Sequence, residues 1–373
     1  MFKIGAPLVA AALALSACGG TTSGSGASGS CDYKIGFFGA LTGDAANLGI
    51  NIKNGAELAV TQYNQKNPSC KVTLTTFDSQ GDPSIAPGLA QKAVTDKKLL
   101  GIVGPAFSGE SKAADPIFEK AGLNIITASA TNPKLSQNGW KTFHRILGND
   151  ATQGPAAAKY IKDVLGAKKV FVSDDTSEYG KGLADIVKSS LASLVVGTDE
   201  TAADGKQDDF SATVTKAKAS GATAFFYGGY YSNASKLVKQ LRDGGFTGTF
   251  VAGDGVKDDG FIKGAGKAAE GAVLTCPCLP PDKAVDFAAA YKKAYNSDPA
   301  TYSAEAYDAA NVFLAGIKAG KLTNADMNAF IASYSAQGVT KMVKFDDKGE
   351  PSSVSVWAYK VTGGKIVADQ EVK

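Results

Sequence analysis

The stretch LLGIVGPAFSGESKAADPIFEKAGLNIIT, residues 99–127, decides the fold. Residues 99–103 are a short apolar run of the kind that forms a strand, and residues 111–121 follow the period of a helix. Residues 124–127 then read as another strand. Strand, helix and strand in so short a span make a βαβ unit, and such units build parallel sheets. The rhythm extends in both directions. Upstream, strands at 33–38 and 72–77 alternate with helices at 52–64 and 85–96. After Thr152 it restarts, with helices at 156–165, 182–191, 210–219 and 234–242 alternating with strands at 169–172, 195–196, 224–227 and 249–252. Two successive runs predict an α/β protein of two Rossmann-like lobes joined near residues 148–150, each with a central, mostly parallel sheet. The region after Pro277 is helical at 284–295 and 304–319, and its pattern assigns it to neither lobe. Residues 353–372 alternate apolar and polar on either side of Gly363 and Gly364, which predicts antiparallel strands.

The N-terminus reads as a processing signal. Lys3 precedes an apolar run over residues 4–17 that is too short to span a hydrocarbon core but right for the hydrophobic region of a signal peptide. Leu15-Ser16-Ala17-Cys18 resembles the lipobox of bacterial lipoproteins, which implies cleavage before Cys18 and acylation of that cysteine. Residues 19–30 are almost wholly Gly, Ser, Thr and Ala, a flexible tether suited to an anchored domain. The remaining length suffices for two domains with sizeable cores. No other apolar run approaches a membrane span, so the membrane is expected to be reached through the lipid alone. The net charge is +3, with both signs interspersed. There is no basic stripe for nucleic acid and no polybasic membrane patch.

Five cysteines accord with export. Cys31 precedes the first strand and Cys70 the second, and neighbouring strand starts predict a Cys31–Cys70 disulfide in an oxidising compartment. Cys276 and Cys278 flank a proline and either close a small ring as a second disulfide or stay reduced. Without further Cys or His ligands, metal binding there is not expected.

An enzyme is the main rival class. The only histidine is His144, where strand-like alternation points it away from Phe143 and predicts a surface or satisfied structural role. No Gly-x-Ser-x-Gly elbow accompanies it. The acidic pairs at 174–175, 208–209, 258–259 and 346–347 read as solvated loop or helix-start charges rather than metal sites. Residues 264–271 lack the spacing of a phosphate loop or a dinucleotide fingerprint. No catalytic residue, metal or cofactor is predicted.

In open α/β sheets, ligands bind beyond the carboxyl ends of the strands. Here those positions carry small, neutral, hydrogen-bonding residues, at 104–109, 128–131, 174–180, 228–232 and 253–255. Ser108 and Thr131 stand where helices should begin, so their hydroxyls and adjacent N–H groups suit an anion or simply cap those helices. With no Lys or Arg in these core loop positions, a carboxylate fits better than a phosphate.

Taken together, Gly39-Ala-Leu-Thr-Gly-Asp, Gly104-Pro-Ala-Phe-Ser, Ile126-Thr-Ala-Ser-Ala-Thr, Gln153-Gly-Pro, Tyr179-Gly-Lys-Gly-Leu-Ala, Tyr227-Gly-Gly-Tyr, Gly253-Asp-Gly and Lys344-Phe-Asp-Asp-Lys-Gly carry a resemblance. In this order and spacing the chain resembles the branched-chain amino-acid receptors of ABC importers, which are type I periplasmic binding proteins. The resemblance implies a lipid-anchored, extracytoplasmic, monomeric receptor that delivers an amino acid to a membrane permease. It implies a three-crossing hinge, with a signal peptide at 1–17 and a lipidated cysteine and linker at 18–31. The first lobe would comprise 32–150 plus 276–345, and the second 151–275 plus 346–373. It also implies a site. Ser108 and Thr131 would hold the ligand's carboxylate, and Ser129 would offer main-chain groups. Tyr230 and Asp254 would face the ammonium, and Ala106, Phe107, Ala130, Tyr179 and Tyr302 would wall the side chain. Asp254 stands where founding members carry glutamate, and Leu48 where some carry an aromatic residue. Leu, Ile or Val is the expected ligand. The alternatives are another small amino acid, an aliphatic amide, or a role as the ligand-sensing input of a signalling system.

Overall fold

The computed structural model describes residues 1–2, 31–202 and 206–373. The segments read as signal peptide, lipidated Cys18 and tether to Ser30 lie outside the described residues, apart from Met1 and Phe2. From Cys31 onward the chain forms one continuous unit. It opens with β1 (Tyr33–Gly39), α1 (Ala46–Lys66), β2 (Val72–Asp78), α2 (Ala86–Thr95), β3 (Leu99–Val103), α3 (Ser108–Ala121), β4 (Ile125–Thr127) and β5 (Phe143–Arg145). It continues with α4 (Asp150–Lys159), β6 (Val170–Asp174), α5 (Glu178–Leu191), β7 (Val195–Glu200), α6 (Ser211–Ala219), β8 (Ala224–Gly228), α7 (Tyr231–Asp243), β9 (Thr249–Ala252), α8 (Asp259–Ala265) and β10 (Val273–Cys276). The last part holds α9 (Val285–Tyr295), α10 (Ser303–Lys318), α11 (Asn324–Ala332), a small hairpin of β11 (Ser335–Gln337) and β12 (Met342–Lys344), and β13 (Trp357–Thr362) and β14 (Lys365–Glu371).

Two sheets carry these elements. The first has the order β2-β1-β3-β4-β5 and is parallel throughout. The second has the order β14-β13-β10-β9-β8-β6-β7, parallel from β7 to β10 and antiparallel at β13 and β14. Each sheet thus has a switch point where the order reverses, between β1 and β3 in one and between β6 and β8 in the other. Crevices open beyond the strand ends at such points, because the crossovers leave the sheet in opposite directions. Ligand-facing loops of both lobes are therefore placed by topology.

The helices after Pro277, ambiguous in the sequence, pack on the first lobe. α10 lies along α1 and against β3, and α9 also touches α1. Close approach explains α1's glycines: a Cβ at Gly49 would overlap the Ala40 carbonyl, and one at Gly55 the Ser303 carbonyl. Cys31 pairs with Cys70, their Cα atoms 4.8 Å apart, and Cys276 with Cys278, 5.1 Å apart. Among the described residues, no helix is long and apolar enough to cross a membrane.

Of the two roles left open for His144, at the surface or structural, the structure shows the structural one. His144 is not on the surface: Phe143, His144 and Arg145 are all buried. The return segment covers this edge strand, with Arg145 N–H donating to the Gly349 carbonyl at 2.8 Å and His144 packed edge-on against Phe345 at 5.0 Å. Alternation marks one face as wet only when nothing covers it. Burial lowers the imidazole's pKa to about 4, so His144 is neutral at pH 7.

Candidate functional site

The loops that follow β3, β4, β6, β8 and β9 meet α1 and the start of α10 around a small cavity. Eight of the residues named from the sequence line it: Ala106, Phe107, Ser108, Ser129, Tyr179, Tyr230, Asp254 and Tyr302. Ala130 and Thr131 are not among the lining residues. Leu48, Ile52 and Gly255 complete the lining.

The first lobe supplies neutral polar groups. Ser108 is the first residue of α3, so the positive end of that helix faces the cavity. Its hydroxyl accepts from the Asn132 N–H at 3.2 Å, which leaves its proton to donate. Ser108 therefore does not cap the helix through its side chain. Nor does Thr131, because Asn132 is the residue that caps the next short helix. The Ser129 hydroxyl donates to the Ala106 carbonyl at 2.6 Å, so it has no proton left for a ligand carboxylate, although its oxygen can still accept. Buried Arg145 holds this loop from beneath, donating to the carbonyls of Ala130 at 2.7 Å and Asn132 at 3.1 Å. Its other face meets Glu350 at 2.6 Å. Ala130 is thus used by the scaffold: its N–H donates to Thr127 Oγ1 and its carbonyl accepts from Arg145. The Thr131 hydroxyl is buried and has no well-formed hydrogen bond among the described residues, although it faces the Asp150 carboxyl.

The second lobe supplies a charge. Asp254 is 3 % exposed. Its Oδ1 accepts from Gln153 Nε2 at 2.6 Å and from the Tyr179 hydroxyl at 2.8 Å, and its Oδ2 accepts from the Tyr302 hydroxyl at 2.6 Å. Burial pushes its pKa above the ordinary carboxylate range, and those three donors pull the other way. Tyr302 reaches it from the first lobe and holds a left-handed backbone, φ 68°, immediately before α10. Non-glycine residues pay about 1 kcal/mol or more for that conformation, and such strain collects at functional sites. The apolar wall is aromatic and aliphatic: Phe107 meets Tyr230 edge to face at 5.4 Å, Tyr230 lies 5.1 Å from Tyr179, and Leu48 and Ile52 face them from α1.

Several residues of this site were missed in the sequence. Gln153 and Asp150 lie three apart on the first turn of α4, a spacing that puts both on one helix face. Asp150 is fully buried, and burial followed by the nearby Asp254 charge drives its pKa well up. The signal for both was a polar first turn preceding the apolar period of α4. Ile52 follows Leu48 by one helical turn and was legible from that spacing. Among the described residues, no group of His, Cys, Asp and Glu could hold a metal ion.

This arrangement suits a small zwitterion: helix-start donors at one end, a buried carboxylate at the other and apolar walls between. The sequence pattern of the periplasmic binding protein family matches residues 32–365. A Leu/Ile/Val-binding protein of Rhizobium johnstonii is 33% identical over 347 residues, covering 90% of this chain and 94% of the relative. A leucine-, isoleucine-, valine-, threonine- and alanine-binding protein of Pseudomonas aeruginosa is 31% identical, covering 88% and 89%. The crystal structure of LivJ, a branched-chain amino-acid transporter substrate-binding protein of Streptococcus pneumoniae in complex with isoleucine, superposes with a TM-score of 0.85 at 28% identity, covering 91% of this chain and 98% of LivJ. The fold, the paired crevices and these relatives place this chain in the periplasmic binding protein family, among the substrate-binding proteins of branched-chain amino-acid ABC transporters.

Proposed function

We propose that the chain captures an aliphatic amino acid, Leu, Ile or Val first, between its lobes and delivers it to an ABC permease. One observation carries this reading: buried Asp254 and the Ser108 end of α3 border one apolar cavity from opposite lobes. A zwitterion needs an anion cradle and a cation partner a few ångströms apart, and both contacts are of the charge-assisted, strong kind. The ammonium would sit at Asp254 with Tyr230 beside it. The carboxylate would take the Ser108 and Thr131 hydroxyls and nearby N–H groups. Leu48, Ile52, Phe107 and the tyrosines would receive the side chain and leave no partner for a charged one. The lobes would be 32–150 plus 276–345 and 151–275 plus 346–373. Gly148, Pro277 and Val354 support a hinge of three crossings: a Cβ at Gly148 would stand 3.2 Å from Pro277 Cβ and 3.3 Å from Val354 Cβ.

Titration calorimetry of the full chain against the twenty amino acids and short aliphatic amides tests the reading. Micromolar or tighter binding of Leu, Ile or Val is expected. A panel in which nothing binds would overturn it. An uncharged amide has no ammonium, so tight amide binding that survives Asp254→Asn would favour that alternative. Export and acylation at Cys18 belong to the same proposal, and paired cysteines fit an oxidising compartment. Cys18→Ser should move the protein from the membrane fraction to the soluble one with ligand affinity unchanged. Retention in the membrane fraction would sink the anchoring proposal.

A further inference from the structure

We infer that Asn47 and Asn51 of α1, together with Asp258 in the segment after β9, form a latch that positions Asp254 by holding the lobes together without touching the ligand. The inference rests on the receptor reading above.

Asp258 belongs to the second lobe and is 3 % exposed. Asn47 Nδ2 donates to its Oδ1 at 3.1 Å and Asn51 Nδ2 to its Oδ2 at 3.3 Å. Both asparagines come from the first lobe. They are four apart, so they share one face of α1. Leu48 and Ile52, each one residue on, share the adjacent face and line the cavity, which neither asparagine nor Asp258 does. One helix therefore presents an apolar pair to the ligand and an amide pair to the other lobe.

Asp258 lies four residues beyond Asp254, and the segment between them is pinned to the first lobe repeatedly. Tyr302 bonds Asp254, the Lys257 ammonium donates to Thr301 Oγ1 at 3.3 Å, and the Thr301 hydroxyl donates to the Lys257 carbonyl. Opening the cleft breaks all of these bonds and returns a buried carboxylate to water. They exist only in the closed form, so they bias the open–closed balance that ligand binding draws upon. At the rim of the cleft, the cross-lobe bridge of Lys112 to Glu178 at 2.8 Å has its lysine 65% exposed, and solvent and salt weaken it. The Asp258 contacts join a buried carboxylate to neutral, half-buried amides, so they are the stronger bias.

The test is the Asn47→Ala/Asn51→Ala double variant of the full chain, with affinities by calorimetry and dissociation by stopped flow. Every amino acid that wild type binds should weaken by a common factor of about fivefold to thirtyfold, chiefly through faster dissociation. The melting temperature without ligand should hold. Asp258→Asn keeps a side chain able to cap α8, where Asp258 now accepts the Gly260 N–H at 2.7 Å, and should show a smaller loss of the same kind. Unchanged affinity and dissociation in both variants would overturn the latch while leaving the receptor reading intact. Altered ratios between amino acids would also overturn it, because they would mean that these residues shape the pocket. Wild type that binds nothing in the panel defeats the receptor reading itself, and the latch with it.

Discussion

On the first-lobe side of the cavity the polar groups are Ser108, at the start of α3, and the loop of Ser129, all neutral and held by main-chain contacts and Arg145. On the second-lobe side stands one carboxylate, Asp254, held by donors from Gln153, Tyr179 and Tyr302. A neutral cradle needs only a strand end, a helix start and small residues, all local to one stretch of chain. A buried charge is different. Removing a carboxylate from water costs several kcal/mol unless hydrogen bonds replace its hydration, and three distant segments converge here to provide them. The two halves should therefore answer differently to perturbation.

The largest difference is expected from Asp254→Asn, which removes the ammonium's counter-charge. Affinity for Leu, Ile or Val should fall by about 2 kcal/mol or more, roughly thirtyfold, by calorimetry. Unchanged affinity would mean the ammonium lies elsewhere. The pH dependence of wild type follows with its sign. Asp254 must be ionised to hold an ammonium, and burial raises its pKa, so affinity should fall as the pH drops from neutral toward that raised value. Binding by Asp254→Asn should be flatter across the same range. A wild-type affinity that rises on acidification would break the assignment of charge to this half. Ser108→Ala, which removes one neutral donor, should cost about 1 kcal/mol, roughly fivefold, with the pH profile retained. A loss as large as that of Asp254→Asn would show that the halves are not unequal. The smallest effect belongs to Lys112→Ala at the exposed rim, about twofold or less and vanishing at high salt.

Legibility followed the same division. The loops after β3, β4, β6, β8 and β9 were visible as small polar runs after apolar ones, and Ser108 stood out where a helix had to begin. The helix starts themselves came late in the reading. α3 begins at Ser108 rather than at 111, α5 at Glu178 rather than at 182, and α7 at Tyr231 rather than at 234. Apolar period defines a helix where it meets the core, whereas these first turns face a cleft and carry serine, tyrosine and glycine. Asp254, Tyr179, Tyr230 and Tyr302 gained their roles only through the family resemblance, because nothing local marks an aspartate after β9 as a counter-charge. Gln153 and Asp150 gained none at all. The burial of His144 was equally hidden, since the segment that covers it lies some two hundred residues further along the chain.

The sequence by itself determined two runs of strand and helix, parallel sheets, polar loops at the strand ends and antiparallel strands at the C-terminus. Those follow from periodicity and turn chemistry, which act over a few residues. Periodicity left α9 and α10 unassigned and only the resemblance put them with the first lobe; the tertiary structure alone decided that Tyr302 reaches across to Asp254. Only it showed that α1 turns one pair of residues to the cavity and another to Asp258. Such contacts depend on how long segments pack after the chain has returned on itself, and burial and hydrogen bonding between distant residues leave no local pattern to read.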